Sequence, residues 1–123
     1  LYSSNDDSGA LTTNANLHFV YSIGGTDFIT DLGIPVAAAT TYRLAVSIDS
    51  DRKASVFVDG VQYSVVTTST AGGAEASPSK GVVKTPALTN DVDLIPYLGV
   101  VARTSSAKAL IIIYEKISRI VFE

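Results

Sequence analysis

Apolar and polar residues alternate along several short stretches of this chain. The clearest stretch places polar or small residues at Arg43, Ala45, Ser47 and Asp49 between the larger apolar residues Tyr42, Leu44, Val46 and Ile48. A second stretch has the same alternation at Leu17, Phe19, Tyr21 and Ile23. A period of two is typical of a β-strand with one buried face. Both stretches are therefore predicted to be half-buried strands.

A tight turn is predicted at Asp59-Gly60. Ala54, Val56 and Val58 alternate before this pair, and Val61, Tyr63 and Val65 alternate after it. Asp-Gly between two such runs is a strong hairpin signal, because a type I′ turn needs positive φ at both central residues. With the polar turn at residues 49–52, residues 41–67 are predicted to form a three-stranded meander.

The remaining segments predict more strands and one long loop. Residues 67–85 are rich in Thr, Ser, Ala and Gly and predict either a long loop or a strand pair with an extended excursion. Gly33 and Pro35 favour an extended connection over residues 32–40. Residues 92–101 predict an edge or bulged strand because of Pro96. Residues 108–114 are apolar on both faces and predict a covered strand, and residues 117–122 predict another short one. Seven to nine short strands indicate an all-β, antiparallel β-sandwich or barrel.

The alternation also predicts the core. The residues expected to be largely buried are Phe19, Tyr42, Leu44, Val46, Ile48, Val56, Val58, Leu110 and Ile112. On this expectation Leu44→Ala costs about 2–5 kcal/mol, through lost transfer energy and the cavity left behind. A register shifted by one residue would instead bury Arg43, Ala45 and Ser47.

Composition excludes several classes of protein. The net charge is −3 and the nine basic residues are scattered, with Arg52-Lys53 the one adjacent pair, so nucleic-acid binding is not expected. The longest apolar run, residues 109–114, is far shorter than the ~20 residues that span a bilayer, so no membrane partner is expected. The absence of Cys removes disulfides, thiol catalysis and cysteine metal sites.

Candidate catalytic and metal-binding residues are few. His18 is the only histidine and lies on the polar side of its strand, where a surface or rim position is expected. The acidic pairs Asp6-Asp7, Asp49 with Asp51, and Asp91 with Asp93 could hold a cation or act on a sugar. Asp at strand ends more often caps a turn. We therefore predict no enzyme activity and assign no catalytic, cofactor-binding or metal-binding residue and no cofactor.

Glycines and tyrosines have ordinary structural interpretations. Gly24-Gly25 and Gly72-Gly73 are predicted to be turn glycines, since neither pair precedes a helix that could bind phosphate. Six tyrosines could stack on a sugar ring if they were exposed together. Tyr21, Tyr42 and Tyr63 share the phase of their strands' apolar faces, which favours packing in the core.

Three segments resemble a known family. They are Tyr42-Arg43-Leu44-Ala45-Val46-Ser47-Ile48-Asp49, then residues 53–60 (KASVFVDG), then residues 93–113, which include Leu94-Ile95-Pro96-Tyr97 and Gly99-Val100. This pattern resembles the concanavalin A-like (laminin-G-like) jelly rolls found in structural proteins of tailed bacteriophages. The resemblance covers residues 41–123. The calcium and sugar ligands of lectin relatives have no residue-by-residue counterpart here, so no binding residue is carried over.

The resemblance implies a non-catalytic virion structural protein. It would be a capsid decoration, head-fibre or tail domain that binds neighbouring capsid or tail subunits, is a homo-oligomer or part of a particle, and is assembled in the host cytoplasm. By its length, the chain of residues 1–123 is expected to form a single domain. Because it begins at Leu1 and contains no Met, it is expected to be a processed product or the C-terminal part of a longer chain. The polar segments 1–16 and 67–85 are the expected contact regions. A carbohydrate-binding module for host or environmental glycans is the alternative.

Overall fold

The computed structural model describes residues 1, 15–69, 80–90, 99 and 109–118. The chain divides into two compact units, Leu1–Val92 and Asp93–Glu123. Five strands and no helix are found among the described residues, and all five strands lie in the first unit. They form two antiparallel sheets. The all-β prediction is confirmed at this level, whereas the single domain of residues 1–123 stays a prediction.

The first sheet is a hairpin of β1 (Asn16–Ile23) and β2 (Thr26–Pro35). Gly24 and Gly25 join the strands with φ of 59° and 78°, as a two-residue hairpin loop with positive φ at both positions requires. The prediction of turn glycines is confirmed here, and Gly72-Gly73 lie outside the described residues. The interpretation of residues 32–40 as a connection was partly wrong, because β2 continues to Pro35.

An irregularity in β2 explains why Gly33 and Pro35 did not end the strand. Asn16 pairs with Pro35 and His18 pairs with Asp31, so one residue of β1 lies opposite three residues of β2. Gly33 has a φ of 68°, and its N–H donates to Asp31 Oδ1 at 2.7 Å. The Asn16 side-chain amide donates to the same carboxylate at 3.0 and 3.1 Å. The bulge is thus built around Asp31, and β2 passes through it without ending.

The second sheet contains β3 (Leu44–Ile48), β4 (Ala54–Val58) and β5 (Val61–Tyr63) in that order. The predicted three-stranded meander is confirmed. Asp59 and Gly60 form the turn between β4 and β5, with φ of 51° and 82°. The left-handed conformation at both residues is that of the predicted type I′ turn.

Asp49 organises the other turn of the meander. Its Oδ1 accepts from the backbone N–H groups of Asp51 at 3.0 Å and Lys53 at 2.9 Å. Arg52 N–H donates to the Asp49 carbonyl oxygen at 3.0 Å, and Arg52 takes a φ of 61°. A tight turn followed by a left-handed residue is a common three-residue hairpin loop. The expected turn-capping role of Asp49 is confirmed.

Both sheets contribute to one buried cluster. β1 and β2 supply Leu17, Phe19, Tyr21 and Leu32, while β4 and the segment after β5 supply Ala54, Val56, Val58 and Val65. The Tyr21 hydroxyl donates to the Val66 carbonyl oxygen, and the Val66 N–H donates to Thr30 Oγ1 at 3.1 Å. Tyr21 also stacks on Phe28 with ring centroids 4.7 Å apart. These contacts bind the segment that follows β5 to the β1–β2 hairpin.

The core prediction is correct at three positions and wrong at five. Phe19, Val56 and Val58 are buried, and Tyr42 is half-buried against the cluster. The exposed positions are Leu44, Val46, Ile48, Leu110 and Ile112. The alternative register is wrong as well, because Arg43, Ala45 and Ser47 are also exposed.

The two segments predicted near the C-terminus have different outcomes. Residues 109–114 have no regular secondary structure, so the strand predicted over residues 108–114 is wrong for the described part. An apolar run has a high β-propensity, but a strand also needs a neighbour for its backbone hydrogen bonds. The strand predicted over residues 92–101 lies outside the described residues, except for residue 99.

Candidate interaction surface

The apolar side chains of β3 form an exposed stripe, which we call the β3 stripe: Leu44, Val46 and Ile48. In the sheet they lie opposite Val58, Val56 and Ala54 of β4, so the six side chains share one face. The β4 residues are almost completely buried, whereas the stripe residues are 46%, 49% and 42% exposed. The core therefore covers β4 and stops before β3. The alternation predicted which face of β3 is apolar, but it did not predict that this face is exposed.

The backbone groups on the outer edge of β3 have no backbone partner in the part of the chain that surrounds it in the structure, residues 15–69 and 80–90. Asp59 N–H donates to Arg43 O at 2.8 Å, and Asp49 N–H donates to Lys53 O at 3.1 Å, so the odd-numbered positions bond towards β4. Because the bonding direction alternates along an antiparallel strand, the N–H and C=O groups of the β3 stripe point away from β4. Within residues 15–69 and 80–90 these groups have no backbone partner.

The opposite side of the same sheet is covered. The segment after the long loop returns beside β4, where β5 has ended. Thr85 N–H donates to Ala54 O at 2.9 Å, Ala54 N–H donates to Thr85 Oγ1 at 2.9 Å, and Leu88 N–H donates to Arg52 O at 2.9 Å. Thr85 is buried, and Val82 packs against the core. Val82 and Thr85, at the end of the predicted contact region 67–85, therefore contribute to the interior of this domain. Residues 2–14 and 70–79, in the expected contact regions, lie outside the described residues.

A second exposed apolar surface lies in the second unit. We call it the C-terminal apolar segment, residues 110–117, whose side chains at Leu110, Ile111, Ile112, Ile113, Tyr114 and Ile117 are between 52% and 82% exposed. Large contiguous apolar patches on soluble proteins usually mark interaction sites or aggregation-prone segments. Residues 109–114 are a run of six apolar residues without Pro or charge, the composition of an aggregation-prone segment when it is left exposed.

His18 is completely buried, so its predicted surface position was wrong. Its Nδ1 lies 3.0 Å from the Asn16 carbonyl oxygen, which accepts a hydrogen bond when this nitrogen carries the proton. Leu17, His18 and Phe19 are all buried in succession, which means that both faces of β1 are covered there. The alternation of apolar and polar residues did not predict that the second face of β1 is buried, because a period of two is interpreted as a strand with one face in solvent.

Asp49 makes an ion pair in addition to its bonds in the turn. Asp49 Oδ2 accepts from Lys84 Nζ at 2.8 Å, and this bond, followed by the bond from the Lys53 N–H, lowers the pKa of Asp49. The same contact raises the pKa of Lys84. Within the described residues no group of three or more His, Cys, Asp or Glu side chains could hold a metal ion. Asp6, Asp7, Asp91 and Asp93 lie outside those residues.

The tyrosines of the described part are mostly packed. Tyr21 is buried, and Tyr42 and Tyr63 pack half-buried against the core, as their phase predicted. Tyr42 also donates its hydroxyl to Pro35 O and accepts from the Ala37 N–H. Tyr114 is 76% exposed, and Tyr2 and Tyr97 lie outside the described residues. One exposed ring in this part of the chain does not make the clustered platform that sugar stacking needs.

No protein family, curated protein or solved structure matches this chain. The resemblance to concanavalin A-like phage domains therefore stays a prediction. Among the described residues no helix is long and apolar enough to cross a membrane. Two separate candidate surfaces remain: the β3 stripe with the outer edge of β3 in the first unit, and the C-terminal apolar segment in the second unit.

Proposed function

We propose that this chain is a non-catalytic structural domain of a virus particle, a concanavalin A-like jelly-roll sandwich that binds neighbouring capsid or tail subunits. The observation that carries the binding role is the exposure of the C-terminal apolar segment, with Ile111 82% and Tyr114 76% exposed. Burying such side chains against another subunit is favourable by about 25 cal/mol per Å² of apolar area. The virion setting depends on the resemblance in residues 41–123.

The low charge content supports the same proposal. Charged residues make up 17% of the chain, against about 25% in average globular domains. Interface cores are depleted in charged side chains, so a domain enclosed by neighbouring subunits needs fewer of them. The sandwich architecture is supported by the cluster that both sheets share. Its jelly-roll topology is part of the proposal.

The direct test is to look for the chain in purified particles. Virus particles from cells that express the coding sequence would be separated on a density gradient, and each fraction digested with trypsin. Residues 54–80 lie between Lys53 and Lys80 and give one diagnostic peptide. We expect this peptide to follow the particle band. Its presence only in fractions without particles would contradict the proposal.

The mode of attachment is tested on the same particles. We expect the chain to stay attached in EDTA and at high salt, because screening acts mainly on exposed charges and not on apolar contacts. Ile113→Asp should reduce attachment, whereas Val20→Asp, which also places a carboxylate at an exposed apolar position, should not. Release by EDTA alone would contradict attachment without metal. Strong binding of the purified chain to a glycan array, with no particle association, would favour the carbohydrate-binding alternative.

A further inference from the structure

Within residues 15–69 and 80–90, β3 has none of the features by which natural sheets protect an edge strand. Proteins usually place Lys, Pro, a bulge or an inward-pointing charge on an exposed edge, or cover it with a loop. Residues 44–48 read Leu-Ala-Val-Ser-Ile, and the pairing with β4 is regular throughout. β2, by comparison, has two of these protective features, a bulge and a Pro at its end, Pro35. An open, regular and apolar edge is suited to pairing with another strand.

We propose that β3 pairs antiparallel with β3 of a second copy of this chain, in the register that places Val46 opposite Val46 of the second copy. This inference goes beyond the proposed function, since it concerns a contact between identical chains and does not require a particle. It would join two three-stranded sheets into one six-stranded sheet around a two-fold axis. Such isologous contacts are the commonest basis of homodimers.

The direction of the backbone groups supports this register. Leu44, Val46 and Ile48 have their N–H and C=O groups on the outer edge, as argued above from the bonds that their neighbours make to β4. In the proposed register Leu44 lies opposite Ile48 of the second copy, and Val46 opposite its own equivalent. Each of these pairs exchanges hydrogen bonds in both directions. Every outward-pointing group of β3 is then used, and a register shifted by two residues leaves some unpaired.

The side chains fit the same register. The β3 stripe of each copy lies on the same face of the joined sheet, so Leu, Val and Ile meet Ile, Val and Leu across the two-fold axis. On the other face Ala45 meets Ser47, which are both small. The shared stripe then becomes a patch of six apolar side chains.

The flanking charges are complementary as well. Arg43 precedes β3 and Asp49 follows it, so in this register Arg43 lies opposite Asp49 of the second copy at both ends of the contact. Opposite charges at facing positions stabilise a strand pair, and like charges destabilise it. Asp49 already accepts from Lys84, but a carboxylate has lone pairs for a second cationic donor.

The test begins with the oligomeric state of the purified chain. Sedimentation velocity should show a monomer–dimer equilibrium at concentrations up to ~200 µM, because one strand pair is smaller than a standard interface and implies a micromolar dissociation constant. Val46→Lys should weaken the dimer at least about tenfold, since it places two like charges in contact. The matched control is Val61→Lys, which adds the same charge at an exposed position of β5 and should leave the equilibrium unchanged.

Disulfide cross-linking tests the register itself. The chain has no Cys, so a single Cys introduced at one position can only cross-link two copies. Val46→Cys should cross-link readily, because hydrogen-bonded antiparallel pairs have Cα atoms about 5.5 Å apart, within the range of disulfides. Ala45→Cys and Val61→Cys should not. Preferred cross-linking of Ala45→Cys would overturn the register in favour of one centred on residue 45.

Two outcomes overturn the contact altogether. A wild-type chain that stays monomeric at all concentrations means that the β3 edge is covered by the chain's own residues or by a different protein. A dimer that survives Val46→Lys means that another surface makes it. Circular dichroism of each variant establishes that it is folded. The two proposals can fail separately. If a monomeric Val46→Lys chain remains on particles, the proposed function stands. If the chain forms the dimer but is absent from particles, only the β3 contact stands.

Discussion

β1 and β3 carry the same alternation of apolar and polar residues but have opposite environments. Leu17, Phe19 and Tyr21 of β1 are 4–8% exposed, while the β3 stripe is 42–49% exposed. Both strands present their apolar residues on the face that their own sheet turns towards the core. The difference is position: β1 lies over the buried cluster, and β3 lies beyond its edge. Alternation therefore reports which face of a strand is apolar, and not what lies against that face.

The two edges of the second sheet also differ in whether another segment pairs beside them. Beside β5 the chain returns through residues 82–88 and takes up backbone groups of β4 that β5 does not reach. Beside β3 no segment of residues 15–69 and 80–90 does so. Within these residues the sheet is thus extended beside β5 and has no further strand beside β3. An open side with apolar side chains is the feature on which the proposed contact between copies depends.

The largest difference is expected between Leu→Ala in β1 and Leu→Ala in β3. Leu17→Ala should lower the free energy of unfolding by about 2–5 kcal/mol, because it removes buried methyl groups and leaves a cavity. Leu44→Ala should cost only about 0.5–1 kcal/mol in the monomer, since nearly half of that side chain is already in water. This replaces the larger cost expected from the pattern alone. Urea denaturation of dilute protein measures both, and equal costs would show that β3 is covered.

The next effect concerns the turn that holds β5 against β4. Gly60 has a φ of 82°, where a β-branched side chain is strained. Gly60→Val should lower the free energy of unfolding by roughly 1–2 kcal/mol. Asp59→Asn should have little effect, because Asn also tolerates positive φ in this turn. Thermal unfolding of both variants tests this, and an unchanged Gly60→Val would contradict the turn.

A smaller effect is expected at the hydroxyl of Tyr21. Tyr21→Phe removes the hydrogen bond to the Val66 carbonyl and should cost about 0.5–1.5 kcal/mol at neutral pH. Tyr63→Phe is the matched control, because this ring packs half-buried against the same core. Equal costs for the two variants would mean that the Tyr21 bond adds nothing to stability.

The free energy of unfolding should also depend on pH in the alkaline range, because of Tyr21. Burial raises the pKa of Tyr21 from 10.0 to about 12. Between these values the unfolded chain releases a proton that the folded chain retains, so stability present below pH 10 is lost as the pH rises towards 12. Urea midpoints measured from pH 8 to 11 should fall less steeply for Tyr21→Phe than for the wild type. Identical slopes would show that this phenol is not desolvated.

The smallest effect is expected at the turn that precedes β4. The pKa of Asp49 is lowered first by its bond from Lys84 and then by the bond from the Lys53 N–H. A lowered folded-state pKa means that the contribution of Asp49 is present above its unfolded pKa and is lost as the pH falls through the folded value. Asp49→Asn should reduce the acid sensitivity of the urea midpoint. Asp51→Asn is the control, because Asp51 supplies its backbone N–H to this turn.

The sequence by itself determined several local features of the first unit. The meander of β3, β4 and β5, the Asp59-Gly60 turn, the Gly24-Gly25 turn and the capping role of Asp49 follow from short-range rules on φ and hydrogen bonding. The buried positions of Phe19, Val56 and Val58 follow from the period of two. Each of these features depends on residues that are close together along the chain.

Only the tertiary structure decided what covers each element. It buried His18 on the polar side of β1, carried β2 through a bulge to Pro35, brought residues 82–88 beside β4 and left the β3 stripe exposed. These outcomes depend on contacts between residues distant along the chain, such as Thr30 with Val66. A hydropathy pattern gives the preference of a side chain for an apolar environment. Whether that environment exists is decided by which segments pack against it, and residues 15–69 and 80–90 supply none beside the β3 stripe.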